Sequence, residues 1–177
     1  MNNRHENPTI YLICGPIGAG KTTYARQVAK EHHAIGFCED EWLSQLFVPD
    51  APEGLLNEPM PIIGAWANEK YQRCRVQIWL ICQQLLAQGI SVVLEGAAAN
   101  KTQRDVIRQK ASTYNVVFQL HYVTCNEQRR RERVLKRNKE QGDTYSLEVT
   151  PAMFEHVEHM FEPPQGSERQ GAIVIET

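Results

Sequence analysis

Eight consecutive residues concentrate the chemistry of this chain: Gly15-Pro16-Ile17-Gly18-Ala19-Gly20-Lys21-Thr22. Glycines at this spacing let the backbone curl until successive N–H groups point at one anion, and the lysine and hydroxyl that follow add a cation and a metal ligand. A helix starting at the end of the loop would turn its positive N-terminus to the same anion. The pattern predicts that Lys21 reaches the β- and γ-phosphates of a nucleoside triphosphate and that Thr22 gives its hydroxyl to Mg²⁺. Thr23 follows at the helix start and joins the binding set. A dinucleotide fingerprint would read G-x-G-x-x-G, whereas these glycines read G-x-x-G-x-G and run into Lys-Thr, so the triphosphate is the expected ligand.

The elements that must position this loop are legible as apolar runs. Thr9–Cys14, Ser91–Leu94, Val116–Val123 and Ala172–Ile175 are rich in Ile, Val, Leu and Tyr and mostly do not alternate, as suits strands covered on both faces; Ala34–Cys38 is a weaker fifth. Helices are expected between them: Thr22–His32, a stretch carrying Tyr71, Cys74, Ile78, Ile81 and Leu85 at spacings of three and four and ended by Gly89, one opened by Asn100 and Gln103 as a capping box, and a basic one capped by Asn126. Alternating strands and helices make an α/β sheet whose ligand lies at the carboxyl ends of the strands. Two segments break the rhythm. Residues 48–64 carry four prolines and read as an acceptor-side loop, and 141–150 is polar; long connections inside one domain are often lids or binding loops.

The totals set bounds. A chain of 177 residues with 42% hydrophobic and 23% charged residues suits one domain, here taken as 1–177 with a flexible N-terminus at 1–8. The net charge of −2 gives no general drive toward nucleic acid or anionic membrane, yet Arg129, Arg130, Arg131, Arg133, Lys136, Arg137 and Lys139 crowd one short stretch. The five cysteines include no C-x-x-C pair, which argues against zinc and for reduced, mostly buried thiols. Without an apolar leader or a run of membrane-spanning length, the expected location is the cytoplasm.

The loop, the F-C-E-D-E-W segment, the V-V-L-E-G strand end and the Arg-rich helix together resemble the small P-loop kinases, in particular a branch of stand-alone predicted kinases related to polynucleotide 5′-kinases, chloramphenicol phosphotransferase and zeta toxins. The resemblance implies a three-layer P-loop fold with five mostly parallel strands in the order 2-3-1-4-5 and a helical lid, here residues 126–150. It implies ATP and Mg²⁺ as cofactors and a hydroxyl as phosphoryl acceptor. Asp40 matches the aspartate beside the acceptor hydroxyl, where a carboxylate can take the proton, orient the oxygen or hold a water on the metal, and where Asp could equally cap a helix. Glu95 matches the acidic position after the third strand, ordering the metal's water or bracing the loop. Arg133 and Arg137 match the lid's R-x-x-x-R pair, the first over the base and the second at the transferring phosphate; Arg129, Arg130 and Arg131 are expected to face solvent.

Polynucleotide 5′-kinases carry an arginine three residues after this aspartate, and Leu43 stands there. The expected acceptor is therefore a small molecule, with a nucleic-acid 5′-hydroxyl or an acceptor-free nucleotide switch as alternatives. Arg73, Arg75, Arg104 and Arg108 could approach an anionic acceptor or lie on helix surfaces. His156 and His159 lack a third ligand nearby in sequence, and Phe161–Pro164 is expected, by analogy, to pack on the base.

Overall fold

The computed structural model describes residues 7–177, so most of the N-terminal segment 1–8 lies outside the described residues. Strands β1 (Thr9–Cys14), β2 (Ile35–Cys38), β3 (Val92–Glu95), β4 (Val117–Thr124) and β5 (Ile173–Glu176) form one sheet in the order β2-β3-β1-β4-β5, with every pairing parallel. The order matches expectation, and each strand lies within one residue of its apolar run. The helices are α1 (Lys21–Glu31), α2 (Glu39–Leu46), α3 (Met60–Ala87), α4 (Lys101–Thr113), α5 (Glu127–Glu140), α6 (Pro151–Met160) and α7 (Gly166–Gln170).

Alternation along β1 divides the core. Ile10, Leu12 and Cys14 face Cys74, Ile78 and Cys82 of α3 and Ile107 and Ala111 of α4, whereas Ile13 packs with Ala25 and Val28 of α1 on the other side. The caps read from sequence are present. Asn100 accepts from the Gln103 amide at 2.9 Å, and Gln103 returns the bond to the Ala99 amide rather than to Asn100; Asn126 accepts from the Gln128 amide.

Two expectations change. The acceptor-side segment is shorter than 48–64, because α3 runs 28 residues from Met60 and takes the last of it into helix. Pro61 sits in the first turn, where its missing N–H would have had no partner. Residues 48–59 are held by two short 3₁₀ turns, Val48–Asp50 and Leu55–Asn57. Arg104 is on neither a helix surface nor an acceptor. It is 1% exposed, forked onto Glu168 through two 2.8 Å bonds, and donates to the carbonyls of Ala98 and Glu162. This buried pair ties α4 to the short α7 that leads into the edge strand.

The fork to Arg104 holds the Glu168 carboxyl below its usual range, against the opposing effect of burial. Its contribution to stability is therefore complete above the ordinary carboxylate range and is lost as pH falls through the depressed folded value. Glu168→Ala strands the buried guanidinium and should cost about 3–5 kcal/mol in urea denaturation at neutral pH.

Candidate active site

The phosphate-loop pattern occupies the turn from β1 into α1, at the carboxyl end of the central strand. Lys21 is the first residue of α1, and its ammonium folds back to donate to the Pro16 carbonyl at 3.0 Å, so the charge lies over the loop. Gly18 has φ of 76°, and a Cβ there would stand 2.7 Å from the Arg130 carbonyl oxygen, so α5 presses directly on the loop. Arg130, expected in solvent, is 5% exposed. It donates to Ile17 and Cys125 carbonyls at 3.1 and 3.2 Å and forks onto Glu158 at 2.6 and 2.7 Å, clamping the loop to α6. A signal for this existed: Arg130, Arg133 and Arg137 fall at i, i+3 and i+7, one helix face.

Thr22 donates its hydroxyl to Glu95 at 2.8 Å. Glu95 ends β3 and is 7% exposed; burial raises its pKa, opposed by the Lys21 charge and the Thr22 bond. With its proton turned to Glu95, the Thr22 oxygen keeps its lone pairs for a hard cation. Among the described residues no cluster of three His, Cys, Asp or Glu side chains could hold a metal. The residues present fit Mg²⁺, which takes few protein ligands and completes its shell with phosphate oxygens and water. Thr23 is exposed on α1.

Asp40 is not the cap of its helix. Cys38 holds that position, and Asp40 sits exposed in the first turn of α2. Tyr71 on α3 donates its phenol to one Asp40 oxygen at 2.6 Å, leaving the second without a partner among the described residues. Burial, then the Asp40 charge, pushes the phenol well above its usual pKa, which keeps it a donor. Beside them Arg75 chelates Glu39 through Nε at 3.0 Å to each oxygen, and its guanidinium lies 5.7 Å from the Tyr71 ring centroid. Burial raises the Glu39 pKa, with Arg75 opposing. No local sequence signal joins Tyr71 to Asp40 or Arg75 to Glu39, because the partners are 31 and 36 residues apart.

The lid arginines differ. Arg133 donates to the Thr177 hydroxyl at 2.8 Å, which in turn donates to the Ala19 carbonyl, so Arg133 is tied to the back of the phosphate loop. Arg137 is half-buried, its Nε is buried without a hydrogen-bond partner, and it forms no ion pair among the described residues. Beyond it, residues 141–150 strap across the site: Asn138 bonds both backbone groups of Val149, Arg26 donates to Asp143 and Glu41, and Ser44 donates to Ser146. Phe161 stacks on Tyr122 at 6.1 Å, and Glu162 is bonded to the start of α4 through the Ala99 carbonyl and Lys101 amide. Arg73 pairs with Glu69 on the α3 surface and Arg108 with Asp105.

This geometry has counterparts. A family described as an AAA domain matches residues 10–164. The chain belongs to that family. Its AAA domain is a P-loop, kinase-like fold. At a TM-score of 0.70 and 15% identity it is similar to a protein from Chloroflexus aurantiacus described as a candidate kinase, with 97% of this chain and 89% of that one covered. Kti12 from Chaetomium thermophilum, solved with ADP-AlF3, superposes at 0.66 with 15% identity over 95% and 88%. The Mycobacterium tuberculosis APS kinase CysC, solved with AMPPNP and APS, does so at 0.60 with 13% identity over 97% and 89%. No curated protein matches. At such identities the structural likenesses carry the fold of this AAA domain alone, and not its reaction.

Gly96, just after Glu95, has φ of 126°, and a Cβ there would lie 2.5 Å from Glu39 side-chain carbons. Gly96→Ala should therefore displace the Glu39–Arg75 pair and cost about 1–3 kcal/mol by denaturation, with Ala97→Gly, next along the chain, as a stable control.

Proposed function

We propose that this AAA domain is a phosphotransferase that moves the γ-phosphoryl group of ATP to a hydroxyl of a small molecule. The observation that carries the reading is the pairing of two carboxylates at adjoining strand ends with different partners. Glu95 is occupied by Thr22, beside Lys21, whereas Asp40 keeps one oxygen free under the hold of Tyr71. One carboxylate serves the nucleotide side and the other the acceptor.

The residues have the following roles. Loop amides from Ile17 to Thr23 and the Lys21 ammonium bind the phosphates and meet the charge that grows on them, with Gly15 and Pro16 shaping the start of the loop. Thr22 would hold Mg²⁺ directly and Glu95 through water, and that ion would supply neutralisation of the β- and γ-phosphate oxygens. Asp40 accepts the acceptor's proton as its oxygen bonds to the γ-phosphorus and the bond to the β-phosphate oxygen breaks, so that ADP leaves. A water-mediated contact of Asp40 with the metal is compatible with this role. Arg137, with no carboxylate to hold it among the described residues, supplies the lid cation over the transferring phosphoryl group. Arg133 lines the nucleotide side. Residues 48–59 and the strap at 141–150 wall the acceptor space and keep water from competing for the phosphoryl group. Leu43 is buried at 2% exposure, so α2 offers no cation at the place where the phosphate of a nucleic-acid acceptor with a 5′-hydroxyl would need one.

The test is ADP release from Mg-ATP across sugars, nucleosides, aminoglycosides, aromatic alcohols and 5′-hydroxyl oligonucleotides. A small-molecule alcohol should stimulate release, and Lys21→Ala should abolish it. Asp40→Asn should lower kcat about 10²–10⁴-fold with ATP binding kept, and Tyr71→Phe about tenfold, the worth of one hydrogen bond to a charged group. Stimulation by oligonucleotides alone, or equal rates in wild type and Asp40→Asn, would contradict the reading.

A further inference from the structure

Glu39 and Glu95 open onto a space for which the proposed reaction gives no occupant. A groove of about 380 Å³ runs between α3 and α4 over the edge of the sheet. Its upper end is formed by Glu39, Glu95, Gly96 and Ala97 at the carboxyl end of β3, where Glu95 bonds Thr22. Because α4 returns antiparallel to the strands, its last turn, with Lys110, lies at the far end. The volume falls in the range of small-molecule sites, about 300–1,000 Å³.

The walls are apolar and wet. Val76 and Leu80 on α3 are 58% and 47% exposed, and Val106 on α4 is 47% exposed; all three line the groove, with Phe37 and Trp79 beneath. Apolar side chains facing each other across an open cleft are an unpartnered surface of the kind ligands cover. The charges are asymmetric. At the upper end Arg75 is neutralised by chelating Glu39, and Glu95 adds a second carboxylate. At the lower end the Lys110 ammonium sits 4.3 Å over the Trp79 ring and has no carboxylate within ion-pair reach among the described residues. Burial lowers the Lys110 pKa, as expected for a half-buried cation lacking a counter-ion.

We propose that the groove binds the body of the phosphoryl acceptor, and that this acceptor is an aromatic alcohol carrying an anionic group: its ring lies between Val76 and Val106 over Trp79, its anion meets Lys110, and its hydroxyl leaves the groove at the end formed by Glu39 and Glu95, toward Asp40, which follows Glu39 in the first turn of α2. The charge gradient sets the direction, since an anion at the upper end would face Glu39 and Glu95 without a free cation. The assignment of the occupant as acceptor rests on the phosphotransfer reading; the groove's affinity for an aromatic anion does not.

The two are separated by one probe that needs no turnover. Anilinonaphthalene sulfonate, an aromatic anion, should bind one-to-one with fluorescence excited through tryptophan. Saturating Mg-ATP should not displace it, and Lys21→Ala should bind it like wild type. Lys110→Glu and Val106→Glu, both at solvent-reached positions, should each weaken it about tenfold or more, by charge reversal and by loss of the apolar wall. Displacement by Mg-ATP, or equal binding in both groove variants, would overturn the site. For the acceptor class, para-hydroxymethylbenzoate should stimulate ADP release with a KM raised about tenfold in Lys110→Glu at unchanged kcat. Probe binding as expected, with ADP release stimulated only by sugars or nucleosides, would overturn the substrate class and leave the phosphotransfer reading standing.

Discussion

A loop that offers its backbone amides to a polyanion cannot also satisfy them internally, so its shape has to be imposed from outside. Most of the conspicuous polar contacts of this protein serve that constraint. Arg130 clamps the loop from α5 by bonding the Ile17 carbonyl while Glu158 neutralises it. Thr177 reaches the Ala19 carbonyl from beyond the edge strand, with Arg133 holding its hydroxyl. Glu95 fixes Thr22 from the neighbouring strand. Three elements distant in sequence thus converge on eight residues, and Gly18 is a glycine because α5 comes so close. Pre-organisation of this kind means that binding a phosphate chain need not also order the loop.

The same logic of compensation extends to the acceptor side. Four carboxylates and two arginines, Arg26 and Arg75, lie near the ends of β2 and β3, with Arg137 on α5 a third cation, and what separates structure from chemistry is whether each charge is already matched. Glu39 is chelated by Arg75 and props up the backbone at Gly96. Arg26 joins Glu41 to the strap at Asp143. Asp40 retains an oxygen, and Arg137 retains its charge. A charge left unmatched in or beside a site is a candidate for completion by substrate, and these two groups carry the proposed roles on that ground.

Strand positions were legible because continuous apolar runs report burial on both faces, the sheet order only through the resemblance to small P-loop kinases, and the phosphate loop because its chemistry is local. The caps at Asn100 and Asn126 were legible for the same reason. What escaped is non-local. Arg104 and Arg130 look like the other arginines around them; only a partner 64 or 28 residues away makes one a buried strut and the other a loop clamp. Tyr71 sits at a helical spacing that suits core packing, and nothing in its neighbourhood announces a bond to Asp40. The start of α3 is masked in the sequence by prolines at 59 and 61, which read as a loop although proline in a first turn is compatible with helix.

The central claim is that the loop, Lys21 and the Thr22–Glu95 pair form a triphosphate site completed by a divalent cation. Calorimetric titration with ATP, with and without Mg²⁺, tests it most directly. One equivalent should bind, more tightly with Mg²⁺ than without. Lys21→Ala should abolish binding, and Glu95→Ala should remove the advantage that Mg²⁺ confers. Absence of binding by the wild-type chain, or binding that Lys21→Ala leaves unchanged, would contradict the account.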